Sequence, residues 1–398
     1  MKIFFLVTAT SLAVVIGLTL LTLGFLVDKE VLRRCRLAIV VLDVLLIGAC
    51  VLGLTGSIKV SDVAISTFGD IFTVVFMSQA ICIVLVVVAL IIRGIYRILN
   101  KPAPFSRQRR AMLSFGLLYP IGSLITAGYG NMIERNDTVD NFYDIHINSL
   151  PAELNGFKIA QISDVHLGAF FSLERLESLL SRIASTKPDL LAITGDIFDS
   201  VEMNPEAIKL VDSFCDKFRY GIYYCHGNHE HRRSIEVIER ELAKTKIHVL
   251  INNSEALTND SRLYLVGVDY PVGVPTVHSK SEAEQRAFDE RRREYLTVAM
   301  EGVPKGAICV LLAHHPEFID EASEFNIPLT LTGHTHGSQF GVMGVPLFPV
   351  FKYTRGMFEH LGSDGQTKCY GYVHVGNGSW FPFRLGCPPE IAYFTLKG

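Results

Sequence analysis

Residues 190–199 read Leu190-Leu191-Ala192-Ile193-Thr194-Gly195-Asp196-Ile197-Phe198-Asp199. The first five form a short apolar and β-branched run without polar alternation, the pattern of a strand buried on both faces. Gly195 then permits a tight turn. Two carboxylates, Asp196 and Asp199, follow immediately.

The same grammar repeats on either side. The runs 157–163, 221–225, 263–268, 308–312 and 329–332 also read as strands, and helix-like stretches separate them. Between the first two strands, 173–184 places Leu176, Leu179, Leu180 and Ile183 at helical spacing, a face that should cover a sheet. This rhythm predicts an α/β sandwich. Five of the strands end in ligand-type residues: Asp164-Val165-His166, Gly195-Asp196 with Asp199, Gly227-Asn228-His229-Glu230, His314-His315 and Gly333-His334-Thr335-His336. One such cluster alone reads as a solvated loop. Strand ends of an open α/β sheet converge on one crevice, however, and five of them together specify a metal site there.

The residue types fit two divalent ions. Ions about 3.5–4 Å apart repel one another and need an anionic bridge, for which Asp196 is the best placed. Asp164 and His166, two apart on an extended backbone, point the same way and can close on one ion. Nitrogen and oxygen donors without thiolate suit manganese first, with iron, zinc or cobalt as alternatives, and exclude a cysteine-type structural zinc. Gly195, Gly227 and Gly333 allow close approach of backbone to the site. His315 should face away from His314 along its strand, and His231 and His374 read as neighbours of the site rather than ligands.

The N-terminal third has a different character. Mean hydropathy is +0.31 and 49% of residues are hydrophobic, too apolar for an ordinary soluble enzyme, and the long uncharged runs fall before residue 135. Runs 3–27, 37–56, 71–92 and 112–132 are expected to be α-helical transmembrane spans, with 136–156 a linker to a catalytic domain over 157–398. Asp43 lies inside the second run, near an end that water can reach. Lys29, Arg33, Arg34 and Arg36 crowd the first connector, and Arg93, Arg97, Lys101, Arg107, Arg109 and Arg110 the third, against Lys59 in the second. The positive-inside rule makes connectors one and three cytoplasmic, so four spans place the catalytic domain outside the inner or plasma membrane. A fourth run lying along the surface would leave it on the cytoplasmic face. Arg109-Arg110 also has the form of a twin-arginine export signal.

A net charge of −3 and the lack of a basic aromatic stripe exclude nucleic acid as a partner. Of eight cysteines, five fall in the polar domain, and they read as buried small apolar residues rather than a disulfide framework.

The ordered blocks Asp-x-His, Gly-Asp-x-x-Asp, Gly-Asn-His-Glu, a later His and Gly-His-x-His resemble the calcineurin-like metallophosphoesterase superfamily. The resemblance implies a four-layer β-sandwich flanked by helices. It implies that Asp164, His166, Asp196 and His336 hold one metal and that Asp196, Asn228, His314 and His334 hold the other. It also implies that His229 contacts the phosphate and that Asp199 orients it. The closing stretch, 375–391, is similar to the membrane-linked YkuE-type and transmembrane phosphoesterases. Some such relatives cleave the pyrophosphate of a UDP-2,3-diacylglucosamine-like lipid precursor, and Arg384 is then either a phosphate ligand or a structural arginine. The expected activity is hydrolysis of a phosphodiester or pyrophosphate, in a lipid-linked substrate, by a hydroxide bridging two metals. A broad phosphomonoesterase and a membrane sensor binding phosphate without turnover are the alternatives. Residues 270–298 break the alternation with a charged helix around 287–295, read either as a cover for the site or as a solvated surface helix.

Overall fold

The structure is a computed structural model that describes residues 15–19, 21, 29–55, 62–99, 118–148, 150–257, 262–272, 281–379 and 381–398. It divides into two compact units, Met1–Ile133 and Glu134–Gly398.

The first unit contains helices α1 (Lys29–Thr55), α2 (Asp62–Leu99) and α3 (Leu118–Gly128). Within α2, Ala64–Ile92 is long and apolar enough to cross a bilayer and contains the third expected span. The second expected span lies in α1 up to Thr55. Of the fourth, residues 118–132 form α3 and most of the single π turn Tyr129–Ile133. Residues 112–117, the Arg109-Arg110 pair and most of run 3–27 lie outside the described residues. Asp43 differs from its expected wet position. It is wholly buried, and its two oxygens accept from Gln79 Nε2 on α2 at 2.9 and 3.1 Å. The packing of α1 on α2 supplies the partner that a charge withdrawn from water requires.

The second unit begins with β1 (Val139–His146), so the stretch expected as a linker is in part a strand. Then follow β2 (Lys158–Ile162), α4 (Leu173–Ser185), β3 (Leu190–Thr194), α5 (Asn204–Ser213), β4 (Ile222–Cys225), α6 (Asn228–Arg232), α7 (Ile235–Leu242), β5 (His248–Val249) and β6 (Asn253–Ala256). Next come β7 (Leu263–Gly267), α8 (Glu282–Ala299), β8 (Ile308–Leu312), α9 (Phe318–Glu324) and β9 (Leu329–Thr332). A small hairpin of β10 (Gly341–Val342) and β11 (Val345–Pro346), then β12 (Gly356–Leu361), β13 (Lys368–Val373) and β14 (Glu390–Lys397), complete it. The described strands make two six-stranded sheets, ordered β1-β14-β2-β3-β4-β5 and β12-β13-β9-β8-β7-β6.

The continuous apolar runs are explained by this layering. Side chains alternate across a strand, so Leu191 and Ile193 of β3 face α4 and α5, whereas Leu190 and Ala192 face the second sheet. In β8, Val310 and Leu312 face the first sheet, and Cys309 and Leu311 face α8 and α9. Each central strand thus serves two cores, which gives the expected four layers of helix, sheet, sheet and helix. Helix α4 buries Leu176, Leu179, Leu180 and Ile183 as its spacing predicts, and Ser172 caps it by accepting from Arg175 N at 3.3 Å. Cys215, Cys225, Cys309, Cys369 and Cys387 are free and buried.

Helix α8 covers the second sheet through Leu296 and Ala299 and buries Phe288 against His315, so neither reading of the charged segment describes it. Arg292 is buried and bonds Glu321 through two 3.0 Å contacts and Glu317 at 3.2 Å, both on or beside α9. Residues 273–280 lie outside the described residues.

Candidate metal centre

Strands β2, β3 and β4 run parallel in one sheet, and β7, β8 and β9 run parallel in the other. Their carboxyl ends carry the ligand-type clusters, and the two sheets bring these together. Asp164, His166 and His336 form one nest, with His166 Nε2 3.0 Å from His336 Nε2 and His336 Nε2 3.4 Å from Asp164 Oδ1. Asp196, His314 and His334 form the next, with His314 Nε2 3.2 Å from Asp196 Oδ2 and 3.1 Å from His334 Nδ1. Asp196 Oδ2 is also 3.8 Å from His166 Nε2, which puts this carboxylate between the two nests.

Asn228 is buried beside Asp196, and its side-chain oxygen has no hydrogen-bond partner. An orphaned buried acceptor, converging imidazole nitrogens and carboxylate oxygens at this spacing fit a pair of divalent cations. Burial and neighbouring charge divide the imidazoles. Burial lowers His166 and His314, yet nearby carboxylates more than offset it. Asp199 and Asp196 raise His166, and Asp196 and Asp164 push His314 up to about 10. Burial and the His314 charge bring His334 down to about 3, and burial with His166 keeps His336 well below its ordinary value.

The local backbone is unlike the extended chain expected at 164–166. Asp164, His166, Asp196, His334 and His336 all have left-handed φ, between 49° and 74°. The chain turns as soon as each strand ends, and the turn, rather than strand alternation, aims the donors. Such conformations cost roughly 1–3 kcal/mol each in non-glycine residues and persist only where their surroundings fix them. Gly195, at φ 83°, and Gly227 permit that crowding. A Cβ on Gly195 would lie 2.6 Å from Gly227 N, and one on Gly227 would collide with the Asp196 carboxylate.

Residues 157–338 match the calcineurin-like phosphoesterase family. They form a calcineurin-like phosphoesterase domain. The chain is 28% identical over 285 residues to metallophosphoesterase YkuE of Bacillus subtilis, covering 68% of this chain and 89% of that one. It is 27% identical to a metallophosphoesterase of Campylobacter jejuni, covering 69% and 67%. It is 26% identical to the transmembrane protein with metallophosphoesterase domain of Danio rerio, covering 69% of this chain and 60% of that protein. The phosphoesterase domain is accordingly a metal-dependent phosphoester hydrolase.

Around the two nests the domain adds supports that the sequence left unread. Glu230 is wholly buried and accepts from four backbone N–H groups, of Asp196, Ile197, Phe198 and Gly227, at 2.8–3.0 Å. It therefore holds the loop of Asp196 and the loop of Asn228 in one register. Its place in Gly-Asn-His-Glu was the available signal. Asp164 is fixed by Ser163 Oγ at 2.6 Å and His334 N at 2.9 Å. Arg384 is structural: it is fully buried and donates to the carbonyls of Val375, Gly376, Gly378 and Cys387 at 2.6–3.2 Å. His315 lies beyond the end of β8, so strand alternation is not what turns it away from the nests. Its Nδ1 accepts from Glu317 N at 3.3 Å, and its ring packs on Phe288. His374 Nδ1 accepts from Gly376 N at 2.9 Å, and His231 pairs with Asp269 at 2.8 Å.

Proposed function

We propose that the domain hydrolyses a phosphodiester or pyrophosphate bond in an amphiphile, a class that includes UDP-2,3-diacylglucosamine-like lipids. In this reading Asp164, His166, Asp196 and His336 hold one ion, and Asp196, Asn228, His314 and His334 hold the second. Manganese is the first candidate. Two divalent ions there would supply an activated water and neutralise charge on the phosphoryl oxygens. The chain's own residues do the rest. His229 lies at the cavity edge with Nδ1 3.0 Å from Asp199 Oδ2, which leaves Nε2 to protonate the leaving oxygen.

The observation that carries the amphiphile reading is the wall of the site. A cavity of about 360 Å³ is floored by Asp196, Asn228 and His334 and walled by Phe348, Val350 and Phe351. That wall continues into the β10–β11 hairpin and the segment after it, where Val342, Met343, Val345, Leu347, Phe348 and Val350 are all exposed, Met343 at 97%. So dense an exposed apolar patch beside a polar centre suits a substrate with an acyl portion, or the bilayer surface itself. The Ala64–Ile92 helix and the transmembrane relatives support membrane association, and the arginine-rich connectors favour an outward-facing domain.

The test is turnover by the full-length protein in detergent with added manganese. Bis-p-nitrophenyl phosphate should be cleaved faster than p-nitrophenyl phosphate, a short-chain lipid diester should surpass both, and Asn228→Ala and His229→Ala should abolish all three. Metal-loaded protein that binds but turns over none of them would instead support a phosphate sensor, and preference for the monoester a broad phosphomonoesterase. A periplasmic reporter fused at Asn136 should be active, and an inactive one would place the domain in the cytoplasm.

A further inference from the structure

A second convergence of ligand-type side chains lies outside the two nests. His226 directly follows β4 in the first sheet, His231 lies on α6, and Asp269 follows β7 in the second sheet. His226 Nδ1 is 3.4 Å from Asp269 Oδ1, and His231 Nε2 is 2.8 Å from the same oxygen. One donor atom from each residue falls within 4.8 Å of the others.

Three features favour an ion over a plain hydrogen-bond cluster. First, His226 is completely buried, its Nδ1 has only the long 3.4 Å contact to Asp269 Oδ1, and its Nε2 has no hydrogen-bond partner among the described residues. A buried imidazole nitrogen with no close partner costs roughly 1–3 kcal/mol, and a metal bond at Nδ1 would offset that cost there. Second, donors bound tetrahedrally at about 2.0–2.1 Å stand roughly 3.3 Å apart. The 3.4 Å His226–Asp269 separation matches this, whereas His231 and Asp269, at 2.8 Å, stand at hydrogen-bond distance and would part slightly to admit the ion. Third, the residue is fixed independently of the histidines, since Tyr270 N donates to the same Asp269 Oδ1 at 2.8 Å and the backbone N–H of Asp269 donates to Asn252 Oδ1 at 3.0 Å. His231 and Asp269 are only partly buried, which leaves the remaining coordination position to solvent.

We infer that His226, His231 and Asp269 form a third, mononuclear site for a divalent transition ion with a two-histidine, one-carboxylate donor set. The ion would tie the ends of β4 and β7 together, and so clamp the two sheets beside Asn228 and His229. It takes no part in the hydrolytic step, and it stands or falls separately from the identity of the substrate.

The test is metal stoichiometry of the full-length protein in detergent. The protein is stripped by chelator, dialysed against buffered zinc and measured by plasma mass spectrometry. Wild type should take up three zinc ions per chain, and His231→Gln and Asp269→Asn should each take up two. Asp269→Asn is the informative variant, because its amide oxygen still accepts from Tyr270 N and His231, while the substitution removes the site's only negative charge and so weakens its hold on an ion. A merely structural cluster would therefore survive it without a change in zinc count. Zinc should also raise the thermal midpoint of wild type more than that of Asp269→Asn. Saturation of wild type at two ions overturns the site whatever the variants do, and so does a third ion retained by Asp269→Asn.

Discussion

His229 Nδ1 stands 3.0 Å from Asp199 Oδ2, and the same oxygen lies 3.2 Å from Nδ1 of His166. One carboxylate therefore orients both a candidate proton donor and a candidate metal ligand, and Arg233 Nε fixes it from the far side at 2.7 Å. The two histidines and burial act on Asp199 in opposite senses, and the histidines hold it well below the ordinary carboxylate range. Asp199→Asn should lower kcat by roughly 10²-fold or more, with metal affinity weakened about 10- to 100-fold. Steady-state kinetics at saturating metal separate the two effects, because only the affinity loss is rescued by adding ion.

Glu230→Gln should destabilise the domain by about 3 kcal/mol, seen as a lower thermal midpoint. Each of its oxygens accepts from two backbone N–H groups, and the amide NH2 of glutamine would face two of those donors. The variant should also bind metal weakly, since the Asp196 and Asn228 loops lose their common anchor.

Metal uptake should release protons. His166 and His314 are both held above their ordinary values, and His314, at about 10, carries a proton at neutral pH without metal. An ion needs the neutral imidazole, and affinity should fall as pH is lowered. His334 and His336 are already neutral and contribute little. Calorimetric titration with manganese in two buffers of different ionisation enthalpy should report roughly one to two protons released per chain at pH 7.

Arg384→Ala should cost at least about 3 kcal/mol, because four backbone carbonyls lose a buried charged donor. KM of the folded fraction should stay near the wild-type value. A raised KM with an unchanged thermal midpoint would instead make Arg384 a phosphate ligand.

The central strands were legible because burial on both faces leaves no polar residue in the run, as in Leu190–Thr194. The nests were legible because their donors are concentrated where strands end. Three features were hidden for definite reasons. The left-handed turns at Asp164 and His166 arise from backbone geometry that residue alternation does not encode. Three of the four N–H groups that Glu230 accepts from lie more than thirty residues away, so its motif gives its presence and not its task. The charged helix α8 reads as solvated because the acids that bury Arg292 come from beside and within α9, and no local periodicity joins them.

Strand β14 lies between β1, with which it is parallel, and β2, with which it is antiparallel. During synthesis every other described strand of the domain is made before it. Until then β1 has no partner in its sheet and β2 presents a bare edge, open to pairing with another nascent chain. Completion of the first sheet is thus a late event, and a ribosome stalled before residue 390 would hold a protein with all of its proposed metal ligands made and its first sheet still unclosed.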